Sequence, residues 1–283
     1  MRHDAESLRE GKRAIVARFG PWTTPIDLGF GINACDLEDS SRGTRLRRLV
    51  QIVEDLSGGR LEALRVLDLA CLEGMVSIEL ARRGARVLGI EARTGNVARA
   101  RFAKEALELD GLEVIQDDVR NLSRARYGSF DLVLCLGILY HLPAPDVFLL
   151  AERMAEVTMR AAVIDTHIAL PEAPRKLLGV PTSHEHRGAV YSGRPYHEFE
   201  PGSFEEDRLK CVWSSIETRP SFWPTRASLL NLLSSAGFTS LHESRTPRWI
   251  GMPEDRITLV AFRGAPTNAP VSVPLEPWPE ESG

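Results

Sequence analysis

The chain has 283 residues, 43% of them hydrophobic and 26% charged, with a net charge of −4. That length supports one large core with smaller attached elements, and the mild negative balance gives no global electrostatic footprint for nucleic acid. Its apolar runs are strand-sized, too short for a membrane span, and the charged N-terminal stretch holds no signal-peptide apolar core. Cys35, Cys71, Cys135 and Cys211 are scattered without metal-ligand spacing, so they read as reduced thiols in a cytoplasmic protein with no metal.

In chain order, Ala5 to Phe19 reads as a short helix, broken by Pro21-Trp-Thr-Thr-Pro25. Ile26 to Gly43 reads as loop. Leu46, Leu49, Val50, Val53 and Leu56 have amphipathic helical spacing over 44–56. Leu64-Arg-Val-Leu-Asp-Leu69 is then a buried strand, followed by a small-residue turn, Ala70 to Gly74, and a helix with Val76, Ile78, Leu80 and Ala81 on one stripe. Strand, tight turn and helix make a nucleotide-sized crevice at the strand ends of an open α/β sheet. The acid at the first strand end, Asp68, would repel a phosphate but suits a ligand with a cationic amine or sulfonium.

The second strand, 85–91, ends in Glu91, about 20 residues after Asp68, as in a βαβ nucleotide unit. A carboxylate there accepts hydrogen bonds from both ribose hydroxyls. A helix over 95–109 follows. The third strand, 112–118, ends in Asp117 and Asp118, either of which could accept from an adenine amine. The fourth, Phe130-Asp-Leu-Val-Leu-Cys-Leu136, runs into Gly137-Ile-Leu-Tyr-His-Leu-Pro143.

Residues 68–74 resemble motif I, D-x-G-x-G-x-G, of the class I S-adenosylmethionine (SAM)-dependent methyltransferases, with Asp68 and Gly74 matching and Ala70 and Leu72 standing in place of two glycines. FDLVLCLGILYHL resembles motif IV and the loop after it. The resemblance implies that Asp68, Ala70, Gly74, Glu91, Asp118, Val119, Cys135 and Leu136 bind SAM. In it, the strand-end carbonyls of Cys135 and Leu136 take the methionine amine. It also implies that His141 sits near the reacting methyl group or the adenine. A nicotinamide dehydrogenase would instead need G-x-G-x-x-G where this chain has Ala70-Cys-Leu-Glu-Gly74.

A helix over 145–157 leads to a fifth strand, 161–167, whose Asp165 and His167 reach the same edge. Residues 171–222 break the alternation with six prolines and carry His184, Glu185, His186, Tyr191, Arg194, Tyr196, His197, Glu198 and Trp213. A stretch this long reads as a lid over the substrate. Thr225 caps a helix over 226–236, and 239–243 and 256–262 read as a terminal antiparallel pair. The expected fold is therefore α/β: a Rossmann-like, seven-stranded, mostly parallel sheet with an antiparallel last strand, an N-terminal helical segment and a lid after the fifth strand. The expected divisions are a helical cap (1–59), a SAM-binding methyltransferase domain (60–262) with the lid at about 171–222, and a flexible tail (263–283).

The expected function is SAM-dependent methyl transfer to an O or N atom of a small acceptor such as a sugar, amino acid or secondary metabolite. His141 and His167 are the candidate bases, with His197 and Glu198 behind them. A more distant resemblance is to the SAM-superfamily enzymes that modify the tRNA wobble uridine, which the acidic balance disfavours. A non-catalytic partner protein on the same fold is the remaining class, against which the intact strand-end acids argue. No membrane partner is expected, and a homodimer is allowed.

Overall fold

The computed structural model describes residues 4–35, 40–171, 178–199, 202, 211–215, 219–245 and 253–265. Two helices come first. α1 (Ala5–Phe19) is capped by the Asp4 carboxylate, which accepts from the N–H groups of Glu6 and Ser7. α2 (Ser40–Ser57) begins before the apolar spacing does and buries Leu49, Val50 and Val53. The βα alternation then runs β1 (Arg65–Leu69), α3 (Met75–Arg82), β2 (Arg86–Glu91), α4 (Thr94–Ala106), β3 (Leu112–Gln116), α5 (Arg124–Tyr127), β4 (Phe130–Leu136), α6 (Asp146–Val157) and β5 (Thr158–His167). The last described elements are α7 (Arg226–Ser235), β9 (Ser240–Glu243) and β10 (Arg256–Phe262).

Seven strands form one sheet in the order β3-β2-β1-β4-β5-β10-β9. The first five are parallel, and β10 runs antiparallel to both β5 and β9. Side chains alternate across the sheet. Leu67, Leu69, Val133 and Cys135 join one core with α6 and α7. Val66, Leu132, Leu134 and Val163 join the other with α1, α2, α3 and α4. Both faces are covered, which is why the central strands read as continuous apolar runs. β1 lies between β2 and β4, with Leu69 in register with Ile90 and Cys135. The strand order reverses direction at β1, so the crevice opens at its carboxyl end.

The stretch read as an irregular insertion contains three antiparallel strands, β6 (Thr182–His186), β7 (Ala189–Tyr196) and β8 (Ser221–Pro224). Arg187 and Gly188, both at positive φ, close the β6–β7 hairpin. Gly193 lets β8 approach, because a Cβ there would fall 2.2 Å from the Trp223 carbonyl oxygen. The sequence hides β6 because Thr182-Ser-His-Glu-His186 is polar on both faces, so no apolar alternation marks it. His184 and His186 both pack on the Phe148 ring, and His186 Nε2 lies 2.9 Å from Glu152. The tail beyond residue 265 and residues 172–177 lie outside the described residues. Among the described residues, no helix is long and apolar enough to cross a membrane.

Candidate functional site

The turn after β1 keeps the backbone that glycines would give it. Ala70 and Leu72 have φ of 53° and 52°, and Gly74, which caps α3, has φ of 83°. Two side chains therefore sit in the left-handed region, which costs on the order of 1 kcal/mol each and is held by the surroundings. One such contact is Leu72 N–H, which donates to Glu91 at 3.0 Å. Another is Glu73, which is 1% exposed. Its carboxylate accepts from Thr23 N–H, Thr24 N–H and the Thr24 hydroxyl, and it pairs with buried Arg99 at 2.9 Å. Arg99 also donates to the carbonyls of Phe19 and Gly20. The Pro21–Pro25 segment is thus fastened to the motif by charge.

Asp68 is buried and accepts from the Ser77 hydroxyl at 2.6 Å. Burial pushes its carboxyl up to about 6, against the pull of Ser77 and Arg45. Glu91 accepts from the N–H groups of Leu72 and Arg93 and from the Asn96 amide. Burial raises it as well, with those donors opposing. At the next strand end, burial pushes Asp118 up, but the Arg120 guanidinium and main-chain N–H overcome it and hold the carboxyl below its ordinary range. Asp117 is held low too. Burial raises it, but Tyr127, Asn121 and the Asp118 N–H outweigh that.

These groups surround two adjoining cavities of about 240 and 290 Å³ that share Arg45, Ala70, Leu72, Leu136 and Trp213. Glu91, Asp118, Val119 and His141 line the first, and Asp68 lines the second. The acids on the rim therefore face two cavities that share five wall residues. Gly74 shapes the turn rather than the wall: with its positive φ, an added Cβ would meet Ala100 at 3.3 Å.

Three of the expected site residues have surroundings that the sequence did not show. Cys135 is fully buried in the sheet and does not line the cavity. Burial pushes its thiol to about 12. Leu136 lines both cavities, and its carbonyl accepts from Arg45 Nη2 at 3.0 Å, which leaves one lone pair. His167 does not line either cavity but sits behind the wall residues Tyr140 and Arg256. It stacks on Trp223 with centroids 4.9 Å apart, and its Nδ1 lies 2.8 Å from Asp255. β5 is antiparallel to β10 here, and His167 pairs with Arg256, which takes the wall position instead.

His141 is on the wall. Its Nδ1 is bonded to Glu198, which follows β7 in the insertion, and the other Glu198 oxygen accepts from Ser215 N–H at 2.5 Å. Residues 212–215 form part of the same wall. Several wall residues escaped the sequence reading. Arg45 reads as the polar face of an amphipathic helix, and Arg256 as a strand start. Both donate to buried Asp165, which also accepts from Thr258. Tyr140 packs edge-on to His167 at 4.7 Å.

The strand order and the strand-end cavity define the class I methyltransferase fold. Residues 66–160 match the model of the family described as methyltransferase domain. The ubiquinone biosynthesis O-methyltransferase of Acinetobacter baylyi is 34% identical over 91 residues, 32% of this chain and 38% of that protein. Its Nitrosococcus oceani namesake is 37% identical over 87 residues, 30% and 36% of the two chains. The matched stretch thus spans well under half the length of these curated relatives. Among solved structures, the N-terminal domain of EvdMO1 with S-adenosylhomocysteine (SAH) bound is 25% identical, with a TM-score of 0.65 over 90% of this chain and 97% of that one. The same domain was crystallised in the presence of SAH and D-fucose. Magnesium protoporphyrin IX methyltransferase from Synechocystis, at 19% identity and a TM-score of 0.51 over 81% of this chain and 87% of that one, shares the fold. Residues 66–160 thus match a methyltransferase domain, set in a sheet with the class I methyltransferase fold.

Proposed function

We propose that this chain transfers a methyl group from SAM to a hydroxyl oxygen of a small-molecule acceptor. The observation that carries the reading is the His141–Glu198 pair on the wall of the strand-end cavity. The donor set fits the cofactor. Asp68 is a buried anionic acceptor suited to an ammonium. Arg45 Nε is buried without a hydrogen-bond partner, a donor suited to a carboxylate. Glu91 keeps an acceptor site on Oε2, which takes only the Leu72 N–H, for a ribose hydroxyl, and Asp118 beside Val119 suits the adenine edge. When bound, SAM supplies an electrophilic methyl group on a sulfonium.

The chain's own residues then align and deprotonate the acceptor. A free alcohol is a poor nucleophile near neutral pH, so a base is useful. With Glu198 holding Nδ1–H, the His141 tautomer carries its lone pair on Nε2, and the carboxylate stabilises the imidazolium formed when Nε2 takes the hydroxyl proton. Trp213 and Tyr140 line the same cavity as His141. On this reading residues 212–215 and the β6–β8 sheet serve as the lid. Oxygen as the target is supported by the O-methyltransferase relatives, and a hydroxyl-rich acceptor by the presence of D-fucose with EvdMO1.

The test is SAH release from SAM across a panel of catechols and sugars. His141→Ala and Glu198→Gln are expected to lower kcat by about 10²-fold or more, with SAH affinity by calorimetry held. Unchanged kcat in His141→Ala would remove it from the chemistry.

A further inference from the structure

We infer that Arg93 is a positioning residue for the His141 base, acting through the peptide plane between Ser214 and Ser215. The inference rests on the reading of His141 as the base. Arg93 follows the ribose-side acid, and its main-chain N–H donates to Glu91 at 2.8 Å. Its guanidinium Nη2 donates to the Ser214 carbonyl oxygen at 3.0 Å. The N–H at the other end of that same peptide unit, Ser215 N–H, donates to Glu198 at 2.5 Å. Glu198 in turn holds His141 Nδ1.

A trans peptide unit is planar, with its C=O and N–H on opposite sides. Arg93 on the oxygen side therefore decides what Glu198 meets on the other side. With Arg93 in place, Glu198 meets an N–H. If the plane turned over, Glu198 would meet a carbonyl oxygen, and the carboxylate would lose a charge-assisted bond and gain repulsion. The turn just before the plane is tightened on itself, because the Ser214 N–H and hydroxyl both reach the Cys211 carbonyl, at 3.2 and 2.8 Å. Thus the guanidinium, the peptide plane, the carboxylate and the imidazole form one continuous series. It begins at a residue that the cofactor-side acid already fixes.

The experiment reads the imidazole directly and needs no acceptor. In ¹⁵N spectra of the full chain, the neutral His141 ring of the wild type is expected as the Nδ1–H tautomer. Glu198→Gln is expected to move it toward Nε2–H. Arg93→Met should move it the same way, shifting the tautomer ratio about tenfold, the equivalent of one hydrogen bond to a charged group. The double variant Arg93→Met/Glu198→Gln should go no further than Glu198→Gln alone. SAH affinity of Arg93→Met should hold within about threefold, because the main-chain N–H to Glu91 remains. A wild-type tautomer in Arg93→Met, or a double variant that adds to Glu198→Gln, overturns the inference. If Arg93→Met does not fold, Arg93→Lys is read instead: a ratio between wild type and Glu198→Gln supports the inference, and a wild-type ratio overturns it. Loss of the base reading would show only as unchanged turnover in His141→Ala, which this spectrum does not involve.

Discussion

Asp68 shows what a binding site costs at the scale of one residue. Its carboxyl rises from an ordinary 3.8 to about 6 because it is buried with one hydroxyl donor and no cation in contact. The folded state therefore holds the proton more tightly than the unfolded chain does. Ionising Asp68 as pH rises from about 4 to 6 removes stability, on the order of 3 kcal/mol in all. Cofactor binding has the opposite requirement, since a cationic amine needs the ionised form. SAH affinity measured by calorimetry is expected to be flat above pH 7 and to fall about tenfold per pH unit below 6. Asp68→Asn is expected to raise the melting temperature of the cofactor-free protein near pH 7 while weakening SAH binding and flattening its pH profile. A variant that lost both stability and affinity would contradict this account. The position of Asp68 was legible because an acid at the end of a buried strand stands out in an apolar run. The surroundings of His167 were less legible. Strand-edge position was visible in the sequence, but the turn of β5 toward Trp223 and Asp255 was not.

At the scale of elements, the β1–α3 turn departs from its glycine pattern and still holds its shape. Positive φ at Ala70 and Leu72 shows that the motif specifies a backbone, and that glycine is the cheapest residue to supply it. The buried Glu73–Arg99 pair helps hold the turn by fastening Thr23 and Thr24 to it. Nε and Oε1 lie 2.9 Å apart, but the N–H is poorly aimed, so the contact is an ion pair more than a hydrogen bond. Glu73→Gln leaves a buried guanidinium without its counterion and is expected to cost about 3–5 kcal/mol. Thermal melting reports it, and Glu73→Gln/Arg99→Met should recover part of the loss because it removes the stranded charge. A double variant less stable than Glu73→Gln would refute the stranded-charge explanation. Most βα elements were legible from periodicity, and the terminal antiparallel pair from a connection with no helix-length periodic segment, but the short α5 was not. The β6–β7 hairpin was not, since its pairing is carried by backbone bonds and an Arg187-Gly188 turn rather than by alternating apolar side chains.

Across the whole molecule, three layers meet at one cavity. Arg45 comes from the N-terminal helices, Ala70, Leu72 and Leu136 from the sheet, and Trp213 from the insertion, and all five are shared by both lobes. Arg45 also reaches across to Leu136 and Asp165, so α2 is tied to two strand ends by one side chain. A ligand filling the cavity should therefore stabilise α2 as well as the turn it touches. At 100 times its Kd, SAH adds about 2.7 kcal/mol to the folded state. Hydrogen exchange is expected to show added protection along α2 and at residues 212–215, beyond the β1–α3 turn. In Arg45→Met the α2 share should vanish while the turn remains protected. Protection confined to residues 68–74 in the unaltered chain would mean that the helical segment merely covers the sheet edge. Protection that reaches α2 only when Arg45 is present would make that helix a working wall of the site.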